Sequence, residues 1–179
     1  LDLLLGTWND GVLRYRNDGT RQTPRWVQDA AATIELTRGS NTTPALADID
    51  DDGDLDLFIG EAGGELNFYR NTGSASEPRF ELVSDTFGSI DAGRRSAPAF
   101  ADLDGDGDLD LVLGGEAGGA VHYRNDGTRT EPRFVRADDA FDVELPPYGV
   151  PRFVDIDGDG ALDILAGGLS GGVVFWRGR

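Results

Sequence analysis

Asp102-Leu103-Asp104-Gly105-Asp106-Gly107-Asp108-Leu109-Asp110 puts five carboxylates and two glycines into nine residues, and the rest of the chain falls into place around it. Asp102, Asp104 and Asp106, at the first, third and fifth positions, converge on one point only if the backbone coils tightly. Gly107 supplies the sharp turn. Asp108 then offers its main-chain carbonyl, and Asp110, at the ninth position, closes the shell with a mono- or bidentate carboxylate. An all-oxygen set of this kind suits Ca²⁺ over Zn²⁺ or copper. A solvated acidic turn is the plain alternative, but it gives no reason for Asp at alternate positions with glycine after the third of them.

The pattern occurs twice more, as Asp48, Asp50, Asp52, Asp54 and Asp56, and as Asp155, Asp157, Asp159, Ala161 and Asp163. Three copies imply three Ca²⁺ sites. The seventh position is Asp54, Asp108 and Ala161, as expected of a ligand that uses its backbone carbonyl. An EF-hand needs Glu at position twelve and flanking helices, whereas position twelve is Ile59, Leu113 and Ala166.

Outward from the loops, the chain repeats itself. The Leu-Asp pair recurs at Leu1, Leu55, Leu109 and Leu162, Tyr15, Tyr69, Tyr123 and Trp176 keep the same step, and so do Pro44, Pro98 and Pro151. One unit therefore takes about 54 residues. Leu1 to Gly6 matches Leu55 to Gly60, so the chain is expected to begin at the eighth position of a loop whose first seven lie upstream, with Asp2 as an orphaned ninth ligand.

Inside a unit the apolar runs are short, and no 3.6-residue periodicity is long enough for a helix. The sequence predicts strands over 98–102, 109–114, 120–124 and 133–136, the second buried on both faces. Asn125-Asp126-Gly127, repeated as Asn17-Asp18-Gly19 and Asn71-Thr72-Gly73, reads as a hairpin connection needing positive φ. Four antiparallel strands per unit of this length predict an all-β fold of β-propeller blades. The division is a part-blade over 1–43, blades over 44–97 and 98–150, and a part-blade over 151–179, with 14 strands. A closed ring needs at least about 16, so the open ends require cover from residues outside this sequence, another domain or another copy.

These residues resemble the integrin-α-like repeats called FG-GAP or VCBS, whose blades carry a Ca²⁺ loop between their first and second strands. The segments from Tyr69 to Phe80 and from Tyr123 to Phe134, reading Tyr-Arg-Asn-x-Gly…Pro-Arg-Phe, look like the bacterial VCBS form. Leu113-Gly114-Gly115-Glu116-Ala117 stands where the integrin pattern has Gly-Ala-Pro, a departure that bears on the ligand and not on the fold. The resemblance implies a ring of seven blades, of which this chain supplies about three and a half. It also implies a secreted or surface location, and one face shared by the loops after second strands and those between blades, opposite the Ca²⁺ loops. Trp8, Asn9, Asp10, Glu61, Glu116, Leu169 and Ser170 fall on that face. So do segments 86–97 and 140–150, with Arg94, Arg95 and Tyr148. Trp8 and Tyr148 serve either as hot spots for a protein or glycan ligand or as packing between blades.

Composition narrows the function. The net charge is −17, from 16 basic residues, all Arg, against 33 acidic ones. With no basic stripe to neutralise phosphates, nucleic acid is not an expected partner. No apolar run approaches the roughly 20 residues of a membrane-spanning helix, and without Cys there is no disulfide or thiol chemistry. Asn41-Thr42-Thr43 is a glycosylation sequon, relevant only in a eukaryotic secretory pathway.

Catalysis is not expected. Gly168-Leu169-Ser170-Gly171-Gly172 has the letters of a nucleophile elbow, but that elbow must open a helix and Val173 to Trp176 reads as a strand. His122, the sole histidine, takes a strand slot filled elsewhere by Arg14, Phe68 and Phe175. The loop aspartates, committed to metal, lack the protonated state a glycosidase acid needs. The sequence therefore points to a non-catalytic Ca²⁺-binding propeller segment mediating protein–protein interaction or adhesion. A lectin-like propeller, or the propeller of a polysaccharide- or lipid-cleaving enzyme, is the alternative.

Overall fold

The structure, a computed structural model, describes residues 2–9, 11–36, 39–137 and 143–178. Leu1 and Asp10, together with residues 140–142 of the segment assigned to the ligand face, lie outside the described residues. Among the described residues, fourteen strands form four antiparallel sheets. The first contains β1 (Leu3–Gly6), β2 (Val12–Asn17) and β3 (Trp26–Gln28). The second contains β4 (Thr43–Ala47), β5 (Asp56–Gly60), β6 (Leu66–Asn71) and β7 (Phe80–Ser84). The third contains β8 (Ala97–Ala101), β9 (Asp110–Gly114), β10 (Val121–Asn125) and β11 (Phe134–Arg136), and the fourth β12 (Val150–Val154), β13 (Asp163–Gly167) and β14 (Val173–Trp176). Each sheet is a meander in sequence order, and the only helical turns among the described residues are three-residue 3₁₀ segments at Ala30–Ala32 and Phe87–Ser89. The sheets are propeller blades and part-blades, and the strands predicted from the third unit each fall within one residue of those observed.

Proline fixes which strand lies at the edge. Pro44, Pro98 and Pro151 have no N–H to give a ladder, and β4, β8 and β12 are all edge strands. These first strands adjoin from blade to blade. The Arg152 guanidinium bridges three of them, donating to the carbonyls of Pro151 (2.7 Å), Pro98 (3.3 Å) and Pro44 (3.2 Å). The second strands β5 and β9 are buried at every residue, as their unbroken apolar runs predict.

Glycine closing the second strand lets the next blade begin. A Cβ on Gly6 would lie 1.9 Å from the Thr42 carbonyl oxygen, on Gly60 2.1 Å from that of Ser96, and on Gly114 1.9 Å from that of Gly149. Buried hydroxyls then latch the segment in place. The Glu61 N–H donates to Ser96 Oγ (3.0 Å) and the Ser96 hydroxyl donates to the Glu65 carbonyl (2.7 Å). Thr42 repeats the arrangement one blade earlier, with Thr7 N–H (2.7 Å) and the Gly11 carbonyl (2.7 Å).

Apolar side chains fill the spaces between blades. Val12 meets Leu57, Ile59 and Tyr69 between the first and second. Between the second and third, Phe58 stacks on Phe68 (centroids 4.7 Å) and touches Phe100 (4.5 Å) and Phe87 (5.2 Å). Leu145, Ile164 and Ala166 close the third against the fourth. The same repeat positions are open at the two ends. Leu3 and Leu5 are 41% and 46% exposed where Leu57 and Ile59 are 0%, and Val173 and Phe175 are 69% and 47% exposed where Leu66 and Phe68 are 0% and 4%.

The Asn-x-Gly connections differ from the hairpin turn expected of them. Gly19, Gly73 and Gly127 do not adopt positive φ. The loop is longer than a two-residue hairpin and is organised by the asparagine before it. Asn125 Oδ1 accepts the N–H groups of Gly127 (3.0 Å) and Arg133 (2.8 Å), and Asn71 and Asn17 do the same one and two blades earlier. Glycine is needed for space, since a Cβ at each would come within 2.3 Å of the Thr23, Glu77 or Glu131 carbonyl oxygen.

Candidate metal centres and the opposite loop face

Each acidic loop runs from a first strand to a second, β4 to β5, β8 to β9 and β12 to β13. Its first carboxylate folds it by capping its own backbone. Asp102 accepts the N–H groups of Gly105 (2.8 Å) and Gly107 (3.1 Å), Asp155 those of Gly158 (2.7 Å) and Gly160 (3.0 Å), and Asp48 those of Asp52 (3.1 Å) and Gly53 (3.1 Å). The sixth-position glycines, Gly53, Gly107 and Gly160, sit at φ 92°, 94° and 90°, the turn that only glycine takes freely. The fourth position is also left-handed, as Gly105, Gly158 and, at some strain, Asp51 (φ 57°). Glycine at that place in two loops of three was the signal for it.

This coiling brings the first, third and fifth carboxylates together. One oxygen from each of Asp48, Asp50 and Asp52 lies within 4.8 Å of the others, and the same holds for Asp102, Asp104 and Asp106 and for Asp155, Asp157 and Asp159. Guanidinium groups offset part of the repulsion, with Arg70 on Asp50 (2.9 Å), Arg129 on Asp51 (2.7 Å) and Arg177 on Asp157. At the seventh position Asp54 Oδ1 and Asp108 Oδ1 are buried without a hydrogen-bond partner. Burial pushes both carboxyls above the usual range, reinforced by Asp52 and Asp106 respectively. Ala161 has no side chain to offer, and its N–H donates to Asp159 Oδ1 (2.9 Å).

The ninth carboxylates stand outside these groups of three. Asp56, Asp110 and Asp163 are 2%, 1% and 1% exposed. Oδ1 of each accepts a backbone N–H just after or at the end of the third strand, from Asn71 (2.7 Å), Asn125 (2.8 Å) and Gly178 (2.8 Å). Oδ2 of Asp110 and of Asp163 accepts the N–H of the loop's second residue, Leu103 or Ile156, both at 3.1 Å. Oδ2 of Asp56 has no partner, and burial pushes that carboxyl up to about 6 against the lowering effect of the Asn71 N–H. Asp2 holds the same latch, taking the Asn17 N–H (3.2 Å) and Arg14 (2.9 Å). The latch tying loop to third strand went unread in the sequence.

The donor chemistry fits a hard divalent cation. In each loop three carboxylates converge and every available ligand atom is oxygen, and in loops 48–56 and 102–110 buried carboxylate oxygens beside them lack a partner.

On the opposite side lie the loops after the second strands and the segments between blades. Trp8 is 63% and Leu169 70% exposed, and Ser170 is also exposed. Glu61 is not available there: it is buried, and its carboxylate accepts the N–H groups of Gly63 (2.7 Å) and Glu65 (3.3 Å) in its own loop. The Arg95 guanidinium sits over the Trp8 ring (5.5 Å) and the Tyr148 ring (5.0 Å). Ser170 occupies a turn that leads into strand β14, and His122 is half-buried in β10.

Residues 48–113 and 102–166 each match the family described as FG-GAP-like repeat, and together they cover more than half of the chain. The chain belongs to that family. It is 27% identical to integrin alpha-7 of Rattus norvegicus and 26% identical to integrin alpha-7 of Mus musculus, each over an alignment 186 positions long that takes in 94% of this chain. The alignments take in 16% and 15% of those relatives, so the chain spans about a sixth of the length of the curated proteins it matches.

Proposed function

We propose that this FG-GAP-like repeat chain is a calcium-stabilised, non-catalytic segment of a β-propeller from a secreted or cell-surface protein. It binds a protein partner through the face opposite its acidic loops. The observation that carries this reading is the threefold recurrence of one carboxylate triad at one repeat position, which favours metal on one face and a partner at the exposed loops of the other. Three Ca²⁺ ions bind, one to each of the loops 48–56, 102–110 and 155–163. The first, third and fifth aspartates supply the principal oxygens, the seventh residue its carbonyl, and the ninth aspartate an oxygen that also holds the third strand. Residues 1–43 and 151–179 are part-blades and 44–97 and 98–150 whole ones, within a ring of seven whose remaining blades cover the apolar end faces. Calcium does no chemistry. By cross-linking each loop to itself it holds the blade's first turn at the geometry the neighbouring blades need.

Calcium titration of the chain tests this. Calorimetry is expected to give three ions, and thermal unfolding to rise with calcium. Extracellular sites bind at about 10⁻⁴–10⁻³ M, so tenfold excess over that adds about 1.4 kcal/mol per site. Fewer than two ions, or an unchanged melting curve in chelator, refutes it. A glycan array probed in calcium tests the partner, since saturable binding to neutral glycans replaces a protein ligand with a carbohydrate.

A further inference from the structure

Three successive blades send one residue each into a single cleft on the face opposite the acidic loops. Asn41, Arg95 and Tyr148 all lie three residues before the first-strand proline (Pro44, Pro98, Pro151), and all are left-handed, with φ 53°, 57° and 59°. Glycine takes that conformation freely, Asn tolerates it, and Arg and Tyr adopt it only at some strain, so the chain keeps side chains at positions where glycine is conformationally better. With Trp8, Thr7 and Thr43 they line a cleft of about 310 Å³.

Arg95 is its chemical centre. Its guanidinium lies over both the Trp8 ring (5.5 Å) and the Tyr148 ring (5.0 Å), and its Nε is 3.2 Å from Glu116 Oε2, an ion pair without hydrogen-bond geometry. The same Glu116 oxygen also meets Arg94 Nε at 3.5 Å, so two guanidinium groups share one carboxylate and a positive charge is left over. The Arg95 side chain is 27% exposed, and its Nη groups meet no acceptor among the described residues. A planar cation resting against two rings, with its terminal N–H edge open, is pre-organised for a planar acceptor that takes two parallel hydrogen bonds.

We propose that this cleft is a carboxylate receptor that takes one aspartate or glutamate side chain of the protein partner. The proposal rests on the reading of that face as the ligand surface. The charge of the chain separates this ligand from an acidic polysaccharide. At −17, the molecule repels a polymer with a negative charge on every unit, whereas a single carboxylate on a neutral or basic protein surface gains the local guanidinium and is steered by the remaining field. Asn41 and Thr43 at the rim offer further polar groups to the partner's backbone.

The test follows the Trp8 indole N–H by NMR in the calcium-loaded chain during titration with N-acetyl-aspartate amide, N-acetyl-asparagine amide and glucuronate. The aspartate derivative is expected to bind saturably, the asparagine derivative at least tenfold more weakly. Arg95→Gln is expected to weaken the aspartate derivative at least tenfold, and Glu116→Gln to tighten it several-fold by removing the competing carboxylate. If Arg95→Gln perturbs the fold, the tightening in Glu116→Gln still decides, because it runs opposite to any structural damage. Equal binding of the asparagine derivative, full affinity in Arg95→Gln, or no tightening in Glu116→Gln overturns the proposal. Tighter binding of glucuronate than of the aspartate derivative overturns the protein source. Any of these failures leaves the calcium stoichiometry and calcium-dependent melting untouched, so it is separable from failure of the broader reading.

Discussion

Asp110→Asn should destabilise the chain whether or not calcium is present. The carboxylate is 1% exposed and accepts two backbone N–H groups, Asn125 N on Oδ1 at 2.8 Å and Leu103 N on Oδ2 at 3.1 Å. Asparagine keeps the shape but has one acceptor, so its amide nitrogen must face one of these donors. An orphaned buried N–H costs about 1–3 kcal/mol, and the remaining bond, no longer charge-assisted, weakens by about 1 kcal/mol. A neutral group offsets part of this, because burial already pushes the Asp110 carboxyl up and so disfavours its charged form. The balance is a loss of about 1.5–3 kcal/mol, which for a chain of this size lowers Tm by about 3–12 °C. Circular dichroism melting in chelator and in excess calcium provides the assay. If wild type and Asp110→Asn melt together in chelator and separate only in calcium, the latch carries no energy and Asp110 acts as a metal ligand alone.

Asp106 provides the contrast, because it is exposed and is held by local backbone contacts such as the Asp108 N–H (3.0 Å); Asp106→Ala should remove one of three calcium ions in calorimetry yet change stability in chelator by no more than about 0.5 kcal/mol. Phe58→Ala empties a fully buried site among Phe68, Phe87 and Phe100 and should lower unfolding free energy in urea by about 3–5 kcal/mol, with a loss below 1 kcal/mol contradicting the packing described. Gly60→Ala removes a flexible residue, worth about 0.4–1 kcal/mol of stabilisation. It also drives a Cβ to 2.1 Å from the Ser96 carbonyl oxygen, so the net result should be a loss of about 1–3 kcal/mol, and a stabilised variant would show that the blades do not approach so closely.

The sequence by itself determined the all-β fold, the 54-residue unit, the strands within one residue in the unit read closely, and the three aspartates of each loop that converge. These depend on residues a few positions apart, where the backbone leaves few conformations and Asp-x-Asp-x-Asp-Gly spacing writes the geometry directly. The roles of Asp110 and Asn125 lay one step further out, because their partners sit 15 and 8 residues away, across a strand pair whose register had first to be known. Only the tertiary structure decided the contacts between blades. Gly60 is glycine because Ser96 passes beside it, Glu61 is withdrawn from the surface by its own loop, and Arg152 reaches Pro44 across 108 residues. Trp8, Arg95 and Tyr148 were each visible as side chains, but no spacing encodes that Arg95 lies over both rings. That contact arises from how three separately folded sheets stack, and the packing of their buried faces sets it.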